Sequence, residues 1–290
     1  MLTGMATVPQ SASAAPKPTV LEPNTAWNVN WNENFCTLQR VFGTGDQLLL
    51  LRMNSYEPGY RFEFFVTGPQ IAAFVARDDI TLQFGANAPL EVPFGQSAKT
   101  DSFGPAIIFG MDIRSERPEN SKDANSDDSE ESGKPPVAAD PAFDATLDGI
   151  MLTRHRQQIK LETHAMAGAL KALRSCVDGM MSNWGLDPAV QSHLMRSAKP
   201  RNRRDMVRRI QAFYPLSQAV RGHQGRLSVF AIVDESGKPR SCNAQATYSD
   251  AAFSKQPCEI IMETQFEPAL DAQGQPVASY FQTMIFYSTF

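Results

Sequence analysis

Residues 225–245 read GRLSVFAIVDESGKPRSCNAQ. Leu227, Val229, Ala231 and Val233 alternate with Ser228, Phe230 and Ile232, so a strand here has both faces at least partly covered. Asp234–Lys238 makes a hairpin loop in which Gly237 is free to take positive φ, and a second strand follows over about Arg240–Gln245. Ser254 can cap a helix running to about Thr264, with Pro257 tolerated in its first turn. Cys258, Ile261, Met262 and Gln265 then share one face. Phe266-Glu267-Pro268-Ala269 ends the helix, Asp271–Gln275 turns, and Val277–Tyr287 is a long final strand. Upstream, Tyr214-Pro215 precedes a polar segment, and Gly222–Gly225 turns into the first strand. Residues 213–290 therefore form a β-β-α-β domain.

Working towards the N-terminus, 196–209 hold seven basic side chains and one acidic. No aromatic platform is interleaved and Pro200 breaks any long helix, so 196–212 reads as a solvated basic connector rather than a nucleic-acid patch. Weak contact of Arg196–Arg209 with a membrane surface is the second reading. A helix is expected over about Leu161–Trp184: Met166, Leu170, Leu173, Val177, Met180 and Trp184 recur at one face, and Cys176 lies on its flank. Gly185 and Pro188 stop it. Leu48–Met53, Arg61–Thr67, Ile80–Phe84 and Ala106–Ile113 read as strands separated by turns such as Glu57-Pro58-Gly59. The class is thus α+β, with an antiparallel β-rich domain and one long helix over 27–195. Residues 115–141, acidic and almost without bulky apolar side chains, read as a disordered insertion.

Residues 1–26 are either the remnant of a signal peptide, ending near Ala12-Ser13-Ala14, or a disordered tail. No stretch approaches the roughly 20 apolar residues that span a bilayer. The net charge of −4 gives no global field that would draw nucleic acid. No G-x-S-x-G, H-E-x-x-H, Walker loop or G-x-G-x-x-G occurs, and His155, His164, His193 and His223 are scattered without ligand spacing. No enzyme, metal or cofactor is expected.

The C-terminal motifs together resemble the TonB C-terminal family: Tyr214-Pro215, the strand from Gly225 to Asp234 with its loop at Gly237, Phe266-Glu267-Pro268-Ala269, and Gly274-Gln275-Pro276-Val277 before an aromatic strand. The resemblance implies a three-stranded antiparallel sheet with a helix on one face. It also implies binding to a segment of an outer-membrane receptor by strand addition. Trp27, Cys36, Leu38, Arg40, Phe42-Gly43, Ala169–Leu173, Cys176-Val177-Asp178 and Trp184–Pro188 resemble a region ahead of TonB-like domains in alphaproteobacterial proteins of the sphingomonad type. Energy transducers of the family carry a membrane anchor and a Pro-rich spacer. A folded domain stands in the spacer's place here, so the expectation is partner binding without energy transduction.

Cys258 on the helix and Cys242 in the second strand are placed to pair, which leaves Cys36 with Cys176; four reduced, packed cysteines are the alternative. Two disulfides fit an oxidising periplasm. The expected binding surface is the edge of the last strand, with Ser279, Tyr280, Gln282, Met284 and Phe286 meeting a protein partner of the envelope. The alternative is that this edge is internal or pairs with its own copy, a homodimer in a structural or stress-related envelope module.

Overall fold

The computed structural model describes residues 17–75, 79–92, 95–114, 133–245 and 250–287. The Ala12-Ser13-Ala14 pattern and residues 115–132 of the acidic insertion lie outside them.

The N-terminal unit is built from two sheets and the long helix. One sheet orders its six strands as Asn28–Trp31, Cys36–Phe42, Leu49–Ser55, Arg61–Thr67, Gly104–Asp112 and Gln96–Thr100, every neighbour antiparallel. The other orders Thr19–Leu21, Gln157–Leu161, Ile150–Arg154, Ile80–Phe84 and Leu90–Glu91. Its first pair is parallel, so the unit is not purely antiparallel and ordered structure begins inside the segment read as a tail. The period of two sends Phe62, Phe64 and Val66 to one face, where they join Leu82, Phe84, Leu152 and Leu161 of the second sheet and Leu170, Leu173 and Val177 of the helix in one core. The helix spans Ala167–Asn183, shorter than the expected Leu161–Trp184. Leu161 belongs instead to a strand that alternates buried and half-buried positions. Cys176 is buried on the helix flank and is bonded to Cys36, with Cα atoms 6.1 Å apart.

Residues 133–140, read as part of the disordered insertion, are held in place. Gly133 O accepts from Ser197 N at 3.0 Å, and Asp140 caps the helix Pro141–Ala145 while pairing with Arg114 at 2.7 Å.

In the C-terminal unit the strands Gly225–Val233 and Pro239–Gln245 form the hairpin, and Ser279–Tyr287 pairs with the first of them from the other side. The order is β-β-α-β. The helix Lys255–Glu263 packs on the sheet and is tied to it by Cys242–Cys258, Cα atoms 5.5 Å apart. Ser254 stands at its start, but its side chain makes no capping bond. Ile260 and Ile261 are buried, whereas Met262, expected on the covered face, is exposed.

The basic stretch 196–212 is not a solvated connector. Lys199–Pro200 pairs with Phe266–Glu267, Arg196 donates to Pro268 O at 2.8 Å, and the helix Arg203–Ala212 buries Met206 and Ile210 in the same core as Leu227, Val229 and Ile261. Met206 and Ile210 are four apart, one helical face, while the arginines take the other.

Gly237 holds the hairpin loop at φ +83, and a Cβ there would sit 2.2 Å from Phe266 O. Phe266 N in turn donates to Gly237 O at 3.0 Å. Gly237→Ala therefore meets both a left-handed backbone and a backbone clash, and should lower unfolding free energy by about 2–3 kcal/mol in urea denaturation. A loss below about 0.5 kcal/mol would mean that the loop is not seated against Phe266.

Candidate strand-edge interface

Ser279–Tyr287 is a terminal strand of its sheet, whose order is Pro239–Gln245, Gly225–Val233, Ser279–Tyr287. In an antiparallel ladder the main-chain groups of successive residues point alternately to the partner and away from it. Asp234 N donates to Lys238 O across the hairpin, which turns the even residues of Gly225–Val233 towards the hairpin partner and the odd ones towards the last strand. By the register Leu227↔Ile285, Val229↔Thr283 and Ala231↔Phe281, the odd residues of the last strand face inward. The main-chain groups of Tyr280, Gln282 and Met284 then face outward.

Two glutamine side chains mark the ends of this outward edge. Gln191 Nε2 donates to Ala278 O at 3.0 Å, and Gln211 Nε2 donates to Phe286 O at 3.0 Å. Both acceptors are even-numbered, as the alternation requires.

The side chains tell a different story from the expected partner-reading row. Ser279 is fully buried and donates to Gln191 Oε1 at 2.6 Å. Tyr280, Gln282, Met284 and Phe286 share the sheet face of Arg226, Ser228, Phe230 and Ile232, and that face is turned to the N-terminal unit. Tyr280 and Ile232 join the N-terminal core, and Trp184 stacks on Phe230 with centroids 4.4 Å apart. Tyr280 is buried beside Glu57: burial first, and then that carboxylate, hold its phenol well above the usual range. Burial likewise pushes the Glu57 carboxyl up, with Arg61 opposing. Phe286 lies under the Arg226 guanidinium, 4.8 Å from its ring centre. Gln282 and Met284 keep half-buried side chains. Of the five expected residues, the edge therefore offers main chain rather than a row of side chains.

The contact that seats the two units is Arg226 Nε donating to Glu63 Oε2 at 2.8 Å, with both side chains nearly excluded from solvent at 2% and 3%. Glu63 Oε1 also accepts from Tyr56 Oη at 3.0 Å and from Asn54 Nδ2 at 3.2 Å, and Thr37 Oγ1 donates to Asn54 Oδ1 at 2.8 Å. A polar row thus crosses three strands of the six-stranded sheet and ends on a guanidinium of the other unit. An arginine immediately before the run Leu227–Val233, Arg226, is a visible sequence signal; Gln191 and Gln211 carry none.

A cavity of about 230 Å³ lies between the long helix and the Ser55–Gly59 turn, with Phe62, Leu170, Leu173 and Val177 among its walls. Its Arg174 guanidinium is engaged by Asp144, which also accepts from Tyr60 Oη at 2.8 Å. Among the described residues no group of three or more His, Cys, Asp or Glu is placed to hold a metal.

No protein-family model matches the chain, and no curated protein matches it.

Truncating Glu63 strands a buried guanidinium, so Glu63→Ala should cost about 3–5 kcal/mol in chemical denaturation at neutral pH. Replacing both partners, Glu63→Met with Arg226→Met, should cost less than that single change; a double variant at least as unstable would show that the pair does not act as a unit. Burial also raises Tyr60, Tyr214 and, to about 12, Tyr287. Folded phenols above the unfolded value of about 10 contribute stability that is whole below pH 10 and is lost as pH rises towards 12. The denaturation midpoint should fall across that window, and less steeply in Tyr280→Phe.

Proposed function

We propose that this chain is an extracytoplasmic protein-binding protein whose C-terminal unit, TonB-like in its motifs, takes up an extended segment of a partner by strand addition on the outward edge of Ser279–Tyr287. The observation that carries this reading is the bracketed run of outward main-chain groups at Tyr280, Gln282 and Met284. Each main-chain bond adds about 1 kcal/mol net, so recognition by this edge alone is modest and suits a transient partner. The β-β-α-β order around a three-stranded antiparallel sheet supports the kinship suggested by the sequence.

Two disulfides fit a protein oxidised outside the cytoplasm, and no helix among the described residues is long and apolar enough to cross a membrane. The compartment we assign is the periplasm and the partner class an envelope protein, an outer-membrane receptor being the first candidate. We read the chain as a binder rather than an enzyme or an energy transducer, because a folded unit, docked through Glu63 and Arg226, occupies the place of the extended spacer. Pairing of the same edge with a second copy is the competing use of this surface, that of an envelope structural module.

Met284→Pro separates these uses from a merely structural role. Its N–H faces outward, so proline removes an edge donor while the bonds to Gly225–Val233 stay, a position where sheets tolerate proline. The expected result is a thermal midpoint within a few degrees of the parent and loss of partners retained from outer-membrane extract. If the variant retained the same partners, strand addition at this edge would be excluded. Light scattering showing a parent dimer and a Met284→Pro monomer would favour the self-pairing use.

A further inference from the structure

The two most exposed large apolar side chains of the described residues lie in one short segment, with a third exposed one close by in sequence. Leu216 and Val220 are 78% and 80% exposed, and Phe213 is 50% exposed. Leu216 and Val220 are four apart across the helical turn Leu216–Ala219, so they point the same way. Stranding three such residues in water is not a folding accident, because the backbone beneath them is fixed. Tyr214 packs against Phe253 and Tyr287 and donates from Oη to His223 O. Gln218 is buried, its Oε1 2.8 Å from His223 Nδ1.

Positive charge flanks this tip along the chain. The helix Arg203–Ala212 leads directly into it with Arg204 and Arg208 on its exposed side, and Arg221 follows Val220. Asp205 and Glu263 are engaged by Arg208 and Arg209. Between 201 and 221 six arginines face one acidic residue. Apolar side chains projecting from a rigid turn that arginines precede and follow is an arrangement suited to the boundary of an anionic bilayer. There, apolar groups enter beneath the headgroups while guanidiniums meet lipid phosphate. A nucleic acid would leave the aliphatic tip exposed, since Leu216 and Val220 offer no stacking surface.

We propose that the Phe213–Arg221 tip docks the protein on an anionic lipid surface. This stands apart from strand addition, although the two are joined in space: Gln211, at the end of the arginine helix, is the residue that holds Phe286 O.

Co-sedimentation of the full chain with vesicles of phosphatidylcholine, with and without phosphatidylglycerol, tests the proposal. Binding is expected to the anionic vesicles and to weaken with added salt. Arg208→Gln/Arg221→Gln should reduce it roughly 25-fold, about fivefold for each arginine. Leu216→Ser/Val220→Ser should reduce it at least about tenfold. These side chains are exposed, so far-UV circular dichroism and thermal midpoints should match the parent. Equal binding to neutral vesicles, no sedimentation with either lipid, or parental binding by the serine variant would each overturn the proposal. So would a parent dimer in light scattering that the serine variant abolishes, which would assign the tip to a second copy.

Discussion

A carboxylate and a guanidinium withdrawn together from water are tolerated only if each finds the other and the remaining lone pairs are satisfied. Glu63 meets that condition: one oxygen takes Arg226, the other takes Tyr56 and Asn54. Because removing either partner would leave the other charge buried and uncompensated, the pair couples the two units. The C-terminal sheet is held with one face towards the N-terminal unit and the other on its own helices. Trp184 on Phe230 and Tyr280 beside Glu57 then fill the same interface with apolar area.

That orientation decides what the C-terminal sheet can still offer. With both faces covered, every residue of Gly225–Val233 is buried, and what this part of the sheet leaves open is its rim. A free-standing three-stranded sheet would offer a face as well. Here the N-terminal unit behaves as a second layer against the sheet, and what Ser279–Tyr287 leaves uncovered is main chain along its outer edge.

Much of this was legible from residues. The hairpin at Asp234–Lys238, the order of the C-terminal elements, the helical stripe from Met166 to Met180 and both cysteine pairs follow from periodicity, turn chemistry and placement. The failures share a cause. A period of two shows that Tyr280, Gln282, Met284 and Phe286 share a face, but not that another unit has taken that face. The arginines of 201–209 drew attention to charge and hid the i, i+4 pair Met206 and Ile210, which makes the segment part of a core. Gln96–Thr100 and Asn28–Trp31 are polar or mixed edge strands, ordered by their neighbours rather than by their own hydrophobic pattern. Gln191 and Gln211 are ordinary surface residues until the fold brings them to the two ends of one strand.

Those two glutamines also act as a ruler. Between the carbonyls of Ala278 and Phe286, the stretch from Tyr280 to Met284 is about 14 Å long at the usual strand rise. An incoming segment longer than about five residues must bend away at each end or displace an amide clamp. Under the strand-addition proposal, length and register rather than the visitor's side chains would therefore decide what fits this rim.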